Sequence, residues 1–302
     1  MKKLTFIATT VAGIFIAQIN SQAQGLYAGV GVGYGFPSQV QAYTPASTSS
    51  GTSTSYTSQS ASLGKGMSVG IYGGYMVTKN IGFELGISDK LSSTTSTTSG
   101  TSAVDTSGSL VTTSTGSNVN TIKSSLFRLT PAIRFAVGDG MLQGYMVTGL
   151  IIGFPTATNE TAGTNTSTTY FGATELSSSA NTSDEIVTYS GSMIIGFHGA
   201  IGVLYSLSDN IGIFGELSGN FQTWAPTEAQ ITTLTYNGVN ELNSLTTSQK
   251  QTNYESTYTV NTASNTPGSP TEAAKMYLPF STWGITIGVH FNFGGATAAA
   301  TK

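Results

Sequence analysis

Residues 25–36 read GLYAGVGVGYGF, with a glycine at every second position from Gly29 to Gly35 and Ala28, Val30, Val32, Tyr34 and Phe36 on the alternate positions. Three structures remove side chains in this way: a phosphate-cradling loop, a flexible linker, and a β-strand with one face kept small. The dinucleotide fingerprint requires glycines at relative positions one, three and six, and those sixth positions are held by Tyr34 and Phe36. A flexible linker has no reason to set an apolar residue between each pair of glycines. A strand remains, and the rest of the chain tests it.

Upstream, MKKLTFIATTVAGIFIAQINSQAQ has the form of a secretory signal peptide. Lys2 and Lys3 are its charged start, Leu4 to Ala17 its apolar stretch, and Ser21-Gln22-Ala23 its small-residue cleavage site, which gives residues 1–23 as the signal. The apolar run falls short of the roughly 20 residues of a spanning helix. The chain has no cysteine, so it carries neither a disulfide nor a lipidated cysteine. Without Lys2 and Lys3, nine of the 11 Lys+Arg remain against 14 Asp+Glu, a balance unsuited to nucleic acid. Charged residues make up 8% of the chain, against about 25% in an ordinary soluble domain. No segment of the exported part holds 18 consecutive apolar residues, so its apolar content must be spread over alternating strands.

Period-two reading gives eight such strands, each long enough to cross a bilayer when tilted. After the opening stretch, KGMSVGIYGGYMV sets Met67, Val69, Ile71, Tyr75 and Val77 against Ser68, Gly70, Tyr72 and Gly74. NIGFELGIS sets Ile81, Phe83, Leu85 and Ile87 against Gly82, Glu84, Gly86 and Ser88, and LFRLTPAIRFAV sets Phe127, Leu129, Ile133, Phe135 and Val137 against Arg128, Thr130, Ala132 and Arg134. The fifth, LQGYMVTGLIIGF, is apolar on both faces, which leaves its register open. SMIIGFHGAIGVLYSL, NIGIFGELSGNFQ and TWGITIGVHFNF complete the set, with His198, Glu216, Thr286 and His290 on their small or polar faces.

The connections alternate strictly between short and long. Thr78-Lys79-Asn80, Gly138-Asp139-Gly140 and Ser208-Asp209-Asn210 are tight turns, whereas residues 37–63, 91–123, 155–190 and 225–277 are long. A membrane barrel has short turns on its inner side and long loops outside, and an even strand count puts both termini at the short-turn end. KNIGFELGIS (79–88) and DNIGIFGELS (209–218) echo each other, which reads as repeated hairpin chemistry. The long loops are Ser/Thr tracts; their stems either continue as strands above the membrane or are solvated and irregular. Asn237-Gly238 within ITTLTYNGVNEL signals a small hairpin in the last loop.

Thr286-x-Gly288-x-x-Phe291-x-Phe293, in the last strand, resembles the terminal assembly signal of Gram-negative outer-membrane barrels. With the signal peptide and hairpin pattern, the chain resembles the OmpA-type eight-stranded outer-membrane barrel family over residues 24–293, followed by a short tail, 294–302. The resemblance implies an all-β fold, an eight-stranded antiparallel up-and-down transmembrane β-barrel in the cell outer membrane. It implies outer-membrane lipid and the barrel assembly machinery as partners.

In such a barrel the apolar faces meet lipid and the others fill the lumen. Gly29, Gly31, Gly33 and Gly35 then make room for large inner groups, and Tyr72 on the adjacent strand could lie over that track. At about 2.5 Å of climb per residue, Glu84 and Arg134 both sit about 10 Å above the inner edge on neighbouring strands, which predicts an ion pair. Glu216 near mid-height could reach Arg134 or Arg128. These four charges are either a gate or proton path, or a plug of paired charges; the cost of a lone lumenal charge favours the plug. Trp283, Phe293, Tyr75, Tyr205 and Phe36 are expected as interface anchors.

Three function classes follow. A structural or surface-interaction protein, displaying Ser/Thr-rich loops to a ligand of unidentified chemistry, accounts for the unusual composition of the loops. A small gated, porin-like channel is the alternative. An outer-membrane hydrolase or acyltransferase ranks behind both: His290 lies at the inner end, and His198 with Ser190 and Asp184 is a nonspecific set in so Ser-rich a chain. The expectation is therefore no enzyme, no cofactor and no metal: H-E-x-x-H is absent, and Lys65 in GKG lacks the Ser/Thr and spacing of a phosphate loop.

Overall fold

The computed structural model describes residues 25–38, 41–50, 53–138, 140–257 and 268–293. The signal peptide, Asp139 of the second tight turn, and the tail lie outside the described residues. Eight strands form a closed antiparallel ring: β1 (Leu26–Pro37), β2 (Gly66–Met76), β3 (Ile81–Ser107), β4 (Leu110–Val137), β5 (Leu142–Phe171), β6 (Ile194–Ser206), β7 (Ile211–Phe221) and β8 (Thr282–Asn292). Each pairs with its neighbours in sequence, and β8 closes on β1 from Tyr27↔Asn292 to Pro37↔Thr282. The fold is all-β, an up-and-down eight-stranded barrel in which the ring leaves no free edge through the membrane span.

The pleat sorts the side chains as the alternation requires. Val30, Val32, Phe83, Leu85, Ile195, Ile201, Ile285 and Ile287 stand on the outside, Ile195 at 74% and Phe83 at 61% exposure. A continuous apolar band of this kind is held by lipid, not water. Aromatic residues edge it at both ends. Phe36 and Trp283 are ladder partners at one rim, while Tyr75, Tyr205 and Phe293 are exposed at the other. Strand β5 takes the register that buries Tyr145, Val147, Ile151 and Gly153 inside and exposes Met146, Leu150 and Phe154 outside.

Two of the short turns use one chemistry, which explains the sequence echo. Ile81 N donates to Thr78 Oγ1 at 3.0 Å, and Ile211 N to Ser208 Oγ at 3.2 Å. Asn80 Nδ2 then donates to Ala136 O at 2.7 Å and Asn210 Nδ2 to Asn292 O at 3.1 Å, so each asparagine ties its turn to the next strand.

At the other end the strands outgrow the barrel. A register shift between Lys90 and Ser93 marks the rim, and β3 and β4 then stay paired from Ser93↔Ser124 to Ser107↔Leu110. From Lys90 to Ser107 that is roughly 55 Å of ribbon. β5 continues alongside, followed by ribbon strands Thr174–Ser190 and Glu228–Tyr236. The loop stems are thus strands. Asn237 (φ 49°) and Gly238 (φ 77°) turn the chain between Tyr236 and Val239, with both residues in the left-handed region that Asn-Gly adopts readily.

Candidate functional site

The lumen is built in three layers, and the lowest accounts for Gly29 and Gly31 of β1, which meet Tyr72 and Phe214, whereas Gly33 and Gly35 face only Thr286, Ser68, Thr282 and backbone. Tyr72 is the ladder partner of Gly29, Tyr27 of Gly74, Tyr145 of Gly202 and Phe214 of Gly288. A methyl group placed on any of these glycines would clash with the partner's ring, and at Gly288 with the Val30 carbonyl as well. Each ring therefore lies flat over bare backbone of the next strand. Together the four rings floor the lumen, with Val147, Ala200 and Leu204 packed among them.

Charged groups thread this floor. Arg134 Nη1 is 3.1 Å from Glu84 Oε2, both side chains nearly buried, and the Tyr27 hydroxyl donates to the same carboxylate at 3.2 Å. The guanidinium lies 3.9 Å from the Tyr145 ring centre and 5.2 Å from that of Tyr27, a stacking that arginine's flat, weakly hydrated cation supports. The Tyr145 hydroxyl donates to Glu216 Oε2 at 3.3 Å. Tyr145 thus stands between Arg134 and Glu216, and no Arg–Glu216 ion pair forms among the described residues. Tyr72 Oη and His290 Nδ1 are 2.8 Å apart, and His290 Nε2 is 3.0 Å from Asn292 Oδ1. One tautomer serves both, with Nε2–H donating to Asn292 and Nδ1 accepting from Tyr72.

Above the floor is a chamber of about 140 Å³, lined largely by glycine, serine and threonine. Arg128 faces it and donates from Nε to Ser88 Oγ at 3.2 Å. His198 faces it too, and its partner is Asn220 at 2.9 Å; neither Ser190 nor Asp184 hydrogen-bonds to it.

A lid closes the outer mouth. Trp224 and Phe280 are fully buried against Leu63, Leu126, Ala157 and Ile194. Thr223–Trp224 pairs with Leu278–Pro279, and Trp224 Nε1 donates to Ser192 O at 3.0 Å. Lys90 ties lid to wall, since its Nζ donates to Leu63 O at 2.7 Å, Ser124 O at 3.0 Å, and the Ser93 and Ser124 hydroxyls at 2.9 Å. With four acceptors around it, the buried ammonium is satisfied without a carboxylate.

Of the sequence-predicted residues, Glu84 and Arg134 meet directly, Glu216 joins them through Tyr145, and Arg128 stands apart in the chamber. Thr286 and Gly288 face the lumen, Gly288 beneath Phe214, while Phe291 and Phe293 stack on the outer face with ring centres 6.5 Å apart. Sequence reasoning missed Tyr27, Tyr145 and the lid. Tyr27 shares the parity of Gly29 and was legible from it, whereas Tyr145 needed the register of β5. Trp224 and Phe280 sit in non-periodic segments that carry no such signal.

Closed ring, apolar belt, aromatic rims and filled lumen define a membrane-spanning β-barrel protein. Among solved structures the chain is similar to the outer membrane protein OprG from Pseudomonas aeruginosa, at 13% identity over 92% of this chain and 99% of that one, with a TM-score of 0.38. It is also similar to OmpT of Vibrio cholerae in its in-vitro folded form, at 8% identity over 92% and 100% of the two chains, TM-score 0.15. No family model matches the chain, and no curated protein does.

Proposed function

We propose that this protein is an outer-membrane anchor that displays its Ser/Thr-rich ribbons at the cell surface, with a lumen closed for stability rather than opened for conduction or shaped for catalysis. The observation that carries this reading is the continuity of the sheet: β3, β4 and β5 pass through the apolar belt and go on pairing to Ser107↔Leu110 and Leu110↔Phe171. The terminal motif at Thr286, Gly288, Phe291 and Phe293 supports placing the barrel with OmpA-type outer-membrane proteins, assembled by the barrel assembly machinery. Besides hydroxyls and amides, the ribbons present Asp105, Glu160, Glu175, Asp184, Glu185 and Glu228 against the one cation Lys123, which pairs with Glu160 at 2.9 Å, so a surface ligand would meet a polar, mildly acidic face.

The cysteine-free sequence makes the test simple. Ser107→Cys at the ribbon tip should react with a membrane-impermeant maleimide on intact cells, and Ser208→Cys in a short turn should react only after the outer membrane is permeabilised. Labelling of Ser208→Cys alone on intact cells would invert the orientation and sink the reading.

A gated channel is the second reading, favoured by the chamber that persists between floor and lid. It requires Tyr145 and Arg134 to part at the floor and Phe280 to leave the mouth.

A further inference from the structure

Two groups that line the chamber lack the partners their chemistry calls for. Arg128 is turned inward, and beyond its Nε bond to Ser88 its two terminal nitrogens donate to no acceptor among the described residues. It forms no ion pair among the described residues: Glu84 is held by Arg134, Glu216 by the Tyr145 hydroxyl, and Asp89, the carboxylate whose field reaches it, stands exposed on the outer face of β3. Gln222 is 4% exposed and lines the same chamber. Its Nε2 donates to Phe280 O at 3.3 Å, which fixes the amide's orientation, and its Oε1 is buried with no donor among the described residues. That oxygen lies 3.9 Å from where a Cβ on Gly153 would stand, and Gly153 is the ladder partner of Arg128. A guanidinium with free terminal donors and an acceptor without a donor thus face the same chamber of about 140 Å³.

We propose that the chamber binds a small oxyanion that carries a proton, with dihydrogen phosphate as its simplest form. The terminal nitrogens of Arg128 donate to the bare oxygens, in the forked geometry that suits arginine to phosphate. The anion's own hydroxyl donates to Gln222 Oε1. Sulfate and chloride accept hydrogen bonds and donate none at neutral pH, so they satisfy Arg128 and leave Gln222 Oε1 orphaned. A buried polar group left without its partner is what separates close analogues strongly. Glu216, at the chamber's lower edge, opposes a second negative charge and favours the monoanion. Because Gln222 also bonds the lid, through Phe280 N to Gln222 O at 3.2 Å and Gln222 N to Ser281 Oγ at 2.9 Å, the bound anion would brace the lid.

The test uses the full chain refolded into detergent with inorganic phosphate present, so that passage through the lid does not limit loading. Binding is followed at equilibrium by phosphorus NMR, and folding by heat-modifiable gel mobility. Saturable binding of about one phosphate per chain is expected, with sulfate competing at least ~tenfold less well. Arg128→Met should weaken phosphate at least ~tenfold. Gln222→Met, which removes the acceptor together with the Nε2 bond to Phe280 O, should bring phosphate down to the affinity of sulfate while leaving sulfate's own affinity unchanged, so the proposal does not hang on the folding of the arginine variant. Folded wild type that binds no phosphate saturably, or binds phosphate and sulfate equally, overturns it.

Discussion

Four rings seated on four glycines set the interior of this barrel, and the pairing makes a sharp expectation at single residues. Gly202→Ala puts a methyl group where the Tyr145 ring lies, and the strand behind it cannot retreat. Such overpacking costs about 1–3 kcal/mol. Gly215→Ala meets open space on the lipid side and should change stability by about 0.5 kcal/mol or less. Urea unfolding in micelles distinguishes them: a lowered midpoint at constant slope for the first, and little change for the second. The ion pair obeys a different rule. Glu84→Gln leaves Arg134 buried and uncompensated, a loss of about 3–5 kcal/mol, and adding Arg134→Met should recover part of it. Additive losses in that double-mutant cycle would mean the pair is not coupled. The sequence made the Tyr72–Gly29 stacking legible because parity and strand adjacency alone specify it. The sequence brought Glu216 within reach of Arg134 but not the Tyr145 ring between them, because that ring comes from a strand with two apolar faces.

At the scale of elements, the same physics explains which strands could be read. Alternation marked seven of them, since lipid and lumen demand different side chains. It failed on β5, whose inner residues Val147, packed in the floor, and Ile151 are themselves apolar and buried, so both faces look alike. The ribbons were ambiguous for another reason: threonine favours extended backbone, but register there is inherited from the membrane strands below the Lys90–Ser93 shift. This inheritance runs one way. Removing residues 97–120 and joining Ser96 to its partner Thr121 through Asn-Gly should leave heat-modifiable mobility intact, because ring closure lies beneath the cut. Loss of that mobility would show that the ribbon helps to fold the barrel. The paired turns give a companion prediction. Asn80→Ala and Asn210→Ala each remove one bond to the next strand and should each cost about 1 kcal/mol in the same urea assay.

For the whole molecule, floor and lid together decide between anchor and pore. An eight-stranded ring is just wide enough for side chains to fill it. Here it is filled twice, by Arg134 stacked on Tyr145 below and by Trp224 and Phe280 above, with the chamber between. As an anchor, the barrel keeps both closures shut at rest. The most direct test is single-channel recording of the refolded, heat-modifiable protein in a planar bilayer. The wild type should leave the membrane silent across ordinary voltages. Discrete, reproducible conductance steps from the wild type, altered in size by Glu216→Gln, would contradict it and make the lumen a gated path.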